Sequence, residues 1–233
     1  MRENKQNRLK FVIAENCYGA YCIPISAIHR PAAQIVLKGR VHEPKTIDYM
    51  LENCGTGDVL AAGAFFGDFL PALGTNIAPT AKVWSFEPNE ENFRCAQITC
   101  ILNDLKNVTL QNAGLGEADK DVYMDCIDER GDNRGGLSKI VETVTKGKIY
   151  QKTSVVKFDN ILPKERQVSV IQLDVEGYEL SALKGSIDII RRNKPILILE
   201  TVPSGSWFAD NILSLGYRKA GTLHKRNVIF RVD

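Results

Sequence analysis

Residues 58–69 constrain this chain more than any other stretch. A mostly apolar run, Asp58 to Ala62, is followed by Gly63 and Gly67, and an amphipathic segment begins at Phe69. A run of that length reads as a buried strand, and glycines directly behind it read as a tight turn opening a helix. Glycine suits such a turn because it tolerates positive φ and lets a ligand lie against backbone where no Cβ intrudes. A second run, Lys82 to Phe86, ends in Glu87. That places an acid at the carboxyl edge of the next strand, where its two oxygens can accept both hydroxyls of a ribose. The order strand, glycine turn, helix, strand, acid specifies an α/β unit able to hold an adenosine.

The turn does not spell Gly-x-Gly-x-x-Gly, because Phe65 stands where that pattern has its second glycine. This argues against a pyrophosphate pressed onto the backbone and leaves a dinucleotide or an S-adenosylmethionine site as alternatives. Paired glycines after an apolar run also occur in α/β proteins without a ligand there.

At 233 residues and 44% hydrophobic composition the chain fits one α/β domain with modest additions. Thirty basic against 28 acidic residues leave a net charge of +2, without the electrostatic footprint of a dedicated nucleic-acid binder. A small-molecule or glycan partner is expected instead. The six cysteines, at 17, 22, 54, 95, 100 and 126, form neither a Cys-x-x-Cys pair nor zinc-ligand spacing, and read as reduced, mostly buried thiols. The patch Phe11 to Ala14 is too short for a signal-peptide core, and no run is long enough to cross a bilayer. The expected location is cytoplasmic.

Residues 1–45 lack the strand and helix alternation seen later and read as an irregular cap segment over a domain spanning 46–233. Within the cap, His29 and Arg30 precede Pro31, and the fork of Arg30 suits a carboxylate on a substrate; the alternative is a surface pair. A helix is expected over 44–53, with Ile47, Met50 and Leu51 on one face and Glu43 just before it. Asn89 is placed to cap the next helix, with Phe93, Ala96, Cys100 and Ile101 as its buried stripe. Residues 120–160 break the pattern: two strand-like pieces flank a polar loop carrying Arg134 and Ser138, which either shapes the substrate side or is a surface insertion. Leu180, Leu183, Ile187 and Ile190 predict one helix, and a further helix and two strands follow from 204. Strands alternating with helices require a mainly parallel sheet covered on both faces, with ligands at its carboxyl ends.

Those ends carry Gly63 with Gly67, Glu87, Asp174 with Glu176, and Glu200. Carboxylates crowded into one crevice have raised pKa values, which suits a general base, and Asp174 and Glu176 are the leading catalytic candidates. Two alternatives stand beside this: Asp174 as a helix cap with Glu176 paired to a lysine, or Asp174, Glu176 and Glu200 as oxygen ligands of Mg²⁺. No metal is required by the spacing.

Residues 58–69, Phe-Glu-Pro-Asn at 86–89, Phe-Asp-Asn-Ile-Leu at 158–162, Asp-Val-Glu-Gly-Tyr-Glu at 174–179 with Leu-Lys-Gly at 183–185, and Pro-Ile-Leu-Ile-Leu-Glu at 195–200 together resemble the FkbM family of S-adenosylmethionine-dependent methyltransferases. The resemblance covers about residues 43–201. It implies a class I methyltransferase (Rossmann-like) fold, a mostly parallel seven-stranded sheet with the last strand antiparallel, and usually O-methylation of a sugar, polyketide or other secondary-metabolite hydroxyl. By that similarity Gly63, Ala64 and Gly67 line the methionine moiety, Glu87 the ribose, and Asn112, Ala113 and Gly114 the adenine side. Phe69, Pro88 and Asp174 are expected on the same cofactor surface, and His29, Arg30, Arg134, Ser138 and Glu200 on the substrate side. One departure stands out: the family's acid two residues before the first glycine is Ala61 here, and the nearest acid in the run is Asp58. Glu43 is the expected compensating side chain. Competing readings are an NAD-linked oxidoreductase, which the missing second glycine opposes, and a non-catalytic binding protein, which Ala61 favours.

Overall fold

The computed structural model describes residues 9–127, 134–141, 143–148 and 150–232. The chain begins with a hairpin of β1 (Phe11–Asn16) and β2 (Gly19–Pro24), then α1 (Pro31–Leu37) and α2 (Pro44–Asn53). Next come β3 (Asp58–Ala62), α3 (Leu70–Asn76), β4 (Val83–Phe86), α4 (Glu90–Leu102) and β5 (Val108–Gln111). Four short strands follow: β6 (Gly114–Leu115), β7 (Lys120–Asp125), β8 (Lys139–Val141) and β9 (Gln151–Val156). The last part holds α5 (Phe158–Ile161), β10 (Val168–Leu173), α6 (Glu179–Lys184), α7 (Ile187–Asn193), β11 (Ile196–Leu199), α8 (Ser206–Asn211), β12 (Arg218–Leu223) and β13 (Asn227–Arg231).

The main sheet has seven strands in the order β12-β13-β11-β10-β3-β4-β5. From β11 to β5 all neighbours pair in parallel, and β13 runs antiparallel to both β11 and β12. Alternate residues of the central strands point to opposite faces. Leu60, Trp84, Ile171 and Leu197 join a core closed by α5 to α8, whereas Val59, Val83, Val170 and Ile198 join one closed by α2, α3 and α4. The expected architecture is therefore present, with helices on both faces.

Local sequence explains several of these elements. Asn89 caps α4, its side chain accepting from the Glu91 and Asn92 amides at 3.0 and 3.1 Å, with Glu90 and Glu91 in the first turn where the helix dipole favours acids. The buried stripe differs from expectation: α4 buries Asn92, Cys95, Ala96 and Thr99, while Ile101 is 76% exposed. The cause is tertiary. The hairpin packs across α4, with the Cys22 amide donating to Thr99 Oγ1 at 3.0 Å and the Thr99 hydroxyl donating to the Phe66 carbonyl at 2.9 Å. Residues 11–24 are thus regular strand where an irregular segment was expected; the outward residues of β1 include exposed Phe11 and Ile13, which blur the alternation.

Two more features follow from long-range packing. The single helix predicted across 180–190 is broken at Gly185, whose Cβ, if present, would lie 1.8 Å from the Gly116 carbonyl oxygen. The two strand-like pieces expected between 120 and 160 are present as β7 and β9, and with β6 and β8 they form a separate four-stranded sheet, β6-β9-β7-β8. No helix among the described residues is long and apolar enough to cross a membrane.

Candidate functional site

The turn after β3 is tied to the end of β4, since the amides of Gly63 and Ala64 both donate to the Phe86 carbonyl, at 3.0 and 3.1 Å. Gly63 has φ 90°, and a Cβ on it would meet the Asp174 carbonyl oxygen at 1.8 Å. Close approach of the β10 end therefore demands glycine there, before any ligand is considered. Phe65 takes the left-handed region at φ 49°, the conformation the missing glycine would adopt freely. Its amide donates to Glu87 Oε2 at 2.7 Å, and its ring packs on Phe66 at 4.7 Å between centroids.

Glu87 sits at the β4 end, 5% exposed, and accepts at its other oxygen from the Asn89 amide at 2.8 Å. Each oxygen takes one backbone donor, and the Asn92 side chain adds a further hydrogen bond to the carboxylate. Burial pushes its pKa up to about 7 against the opposing effect of those hydrogen bonds. Glu87 borders two hollows. The larger, of about 300 Å³, lies over the carboxyl ends of β3, β4 and β10 and is walled by Arg30, Glu43, Gly63, Ala64, Phe65, Phe69, Asp174, Glu176 and Glu200 among others. The smaller, of about 30 Å³, is lined by Pro88, Gly114, Leu115, Met124, Gly135, Ser138 and Ile140 as well as Gly63 and Glu87.

At the ends of β10 and β11, one oxygen from each of Asp174, Glu176 and Glu200 lies within 4.8 Å of the others. Burial, the hydrogen bond with Glu200 and the negative charges of Glu200, Glu176 and Glu43 raise the Asp174 pKa well above the carboxylate range. Burial followed by Glu200 lifts Glu176 to about 7, with Lys139 and Arg226 acting the other way. Glu200 also accepts from Arg226 Nη1 at 3.2 Å. Three hard oxygen donors at that reach also match a divalent cation. On the wall toward α2 and α3, His42 Nδ1 is 2.8 Å from Asp68 Oδ2. Glu43, in left-handed backbone at φ 47°, is pinned by Thr46 Oγ1 at 3.1 Å and by Asn227 Nδ2.

The model of the Methyltransferase FkbM domain matches residues 58–219, more than two thirds of the chain. The chain belongs to the FkbM methyltransferase family. Among solved structures it is similar to a methyltransferase FkbM from Methylobacillus flagellatus KT, with 21% identity and a TM-score of 0.53 over 76% of this chain and 43% of that one. It is also similar to M. jannaschii TYW2 in complex with AdoMet, with 10% identity and a TM-score of 0.50 over 97% and 88% of the two chains. At these identities the likeness is one of fold. The chain spans less than half the length of the FkbM structure it matches. No curated protein matches it.

Most of the residues singled out from the sequence meet at these hollows: Gly63, Ala64, Phe69, Glu87, Glu43, Asp174, Glu176, Glu200 and Arg30 at the larger, Pro88, Gly114 and Ser138 at the smaller. Five do not line either. His29 is exposed outside them. Gly67, at φ 85°, serves the turn, where a Cβ would press on Leu70, Thr99 and Ala96. Asn112 donates to the Glu87 carbonyl at 2.8 Å, Ala113 is buried, and Arg134 is engaged by Asp125 and the Ile127 carbonyl at 3.4 and 3.2 Å. Their contribution is to hold the walls. Sequence reasoning passed over His42, Asp68, Ser85 and Gln172, all of which border the larger hollow. Ser85 and Gln172 carried a signal, as polar residues near the ends of apolar runs. His42 carried none.

Proposed function

We propose that this chain transfers a methyl group from S-adenosylmethionine to a hydroxyl of a small molecule or glycan. The observation that carries the reading is Glu87, which borders both hollows from the β4 end with its carboxylate oriented by the Phe65 and Asn89 amides, the position a ribose acceptor requires. The AdoMet complex of the structurally similar TYW2 supports the same cofactor class. On this reading Gly63, Ala64 and Phe69 flank the methionine moiety, Glu87 holds the ribose, and Pro88 and Gly114 flank the adenine.

When bound, the cofactor supplies an electrophilic methyl on a sulfonium. Displacement of that kind is in line, so the protein's work is to align the acceptor and remove its proton. Glu176, titrating near 7, is the better matched base, and takes the proton from the acceptor hydroxyl as the carbon–oxygen bond forms. Asp174, whose pKa is raised by burial and by its hydrogen bond with Glu200, stands beside it and orients the carboxylate cluster. Apolar Pro31, Ala32, Phe69 and Leu137 along the same hollow limit the water around the reacting atoms.

Glu176→Gln is expected to lower kcat at saturating cofactor by about 100-fold or more, and Asp174→Asn by about tenfold, with cofactor affinity kept in the first. Unchanged turnover in both removes the carboxylate pair from the chemistry. A second reading, a module that binds without catalysing, is favoured by Ala61, where the family's acid is missing. Calorimetry with S-adenosylmethionine, S-adenosylhomocysteine and NAD separates the readings: heat with the first two supports the proposal, no heat with any of them favours the second reading, and a response to NAD alone overturns the first.

A further inference from the structure

The amino-acid end of the proposed cofactor needs an acceptor for its ammonium and a donor for its carboxylate, and the β3 end offers no charged side chain to either. Ala61 pairs in register with Ser85 on one side and Gln172 on the other. The Ser85 hydroxyl is already spent on the Ala61 carbonyl at 2.7 Å, and none of the three is charged. Across the acidic side, Asp174 is hydrogen-bonded with Glu200, and Arg226 is paired with Glu200. Glu43 is held at Oε2 by Thr46 and Asn227, with its backbone in the left-handed region.

One charged pair on the same hollow is built differently. His42 and Asp68 both border it, joined through Nδ1 and Oδ2 at 2.8 Å, with side chains only 24% and 10% exposed. Among the described residues, His42 Nε2 and Asp68 Oδ1 take no protein partner. The pair is held from both sides. His42 precedes the pinned left-handed Glu43 and lies against the Phe69 ring, 6.5 Å between centroids, and Asp68 follows the Gly67 turn. Burial alone would lower the His42 pKa, but the hydrogen bond to Asp68 and the charges of Asp68 and Glu43 outweigh it and leave it above the ordinary value. A protonated imidazole beside a carboxylate offers one N–H donor and one anionic oxygen to the same space. That is the complement of an α-amino-acid zwitterion.

We propose that the His42–Asp68 pair binds the amino-acid tail of the cofactor, Asp68 Oδ1 accepting from the ammonium and His42 Nε2 donating to the carboxylate, in place of the acid this chain lacks at Ala61. This rests on the S-adenosylmethionine reading above, and the test separates the two. Calorimetry compares S-adenosylhomocysteine, which has the tail, with 5′-methylthioadenosine, which shares the nucleoside thioether and has none. The unaltered chain binds S-adenosylhomocysteine at least tenfold more tightly. His42→Ala and Asp68→Asn each weaken S-adenosylhomocysteine by about 10- to 100-fold, the scale of one charge-assisted hydrogen bond, and leave 5′-methylthioadenosine within about twofold. Adding Ala61→Asp to Asp68→Asn recovers about tenfold of the loss. Thermal melting of each variant without ligand checks that the fold is intact. If both ligands weaken together in folded variants, or neither does, the pair is not the tail site while the cofactor reading stands; if the unaltered chain binds neither ligand, the cofactor reading itself falls.

Discussion

Phe65 occupies backbone at φ 49° that costs a bulky residue roughly 1–3 kcal/mol, and the turn holds it there with the Glu87 carboxylate and the tilted Phe66 ring packed against its own. The geometry of a glycine turn thus survives where the glycine does not, which is why a motif search on sequence alone sees only half of it. Asp58 shows the converse. In the sequence it is the nearest acid before the turn, yet it lies at the amino end of β3, about 13 Å of strand away from Ala62. There it is buried, accepting from Trp84 Nε1 at 2.8 Å and the Lys82 amide at 2.9 Å, and paired with Arg166. Removing one partner of such a pair strands the other. Asp58→Asn is expected to cost about 3 kcal/mol in urea unfolding, toward the lower end of the range for buried pairs because Arg166 is partly exposed, and to leave S-adenosylhomocysteine affinity within about twofold. A large loss of affinity with little loss of stability would move Asp58 into the site.

Elements whose neighbours are themselves local were readable from the chain. The apolar runs of β3, β4, β10 and β11 and the 3.6-residue spacing of α2 needed only one face or two to be buried, and periodicity reports that directly. The stripe of α4, the break at Gly185 and the sheet formed by β6 to β9 depend on partners from about 15 to about 80 residues away, the hairpin, Gly116 and one another, so no short window of sequence holds the cause. The same sheet governs the smaller hollow. At about 30 Å³ it has room for one water, and a purine fits only if Ile140 and the turn at Gly135–Leu137 move outward. Ile140 Cδ1 would lie 2.6 Å from a Cβ on Gly114, so its side chain rests on the strand end expected to face adenine. Ile140→Ala is therefore expected to tighten 5′-methylthioadenosine binding several-fold by removing the cost of that displacement. Weaker binding in calorimetry would mean that Ile140 packs on the ring rather than blocking it.

A net charge of +2 conceals how the charge of the whole molecule is distributed. Six carboxylates, Glu43, Asp68, Glu87, Asp174, Glu176 and Glu200, line one hollow that also holds Arg30, Arg226 and His42. Composition averages over the surface and could not report this; only the convergence of four strand ends does. Folding gathers these acids, and the unfolded chain releases them to water. Glu176 has a folded pKa of about 7 against an ordinary value of 4.5, so between these pH values the folded state binds more protons than the unfolded one. The stabilisation belonging to that bound proton is complete below about pH 4.5 and is lost as pH rises through about 7. Glu176→Gln cannot lose it. The Tm of the variant minus that of the unaltered chain should accordingly rise by about 3–8 °C between pH 5 and pH 8 and level off above, a difference in which the titrations common to both proteins cancel. A difference that stays flat across this range would place Glu176 in contact with solvent and with its charge fully screened, and the carboxylate cluster would then lose its leading base along with its effect on stability.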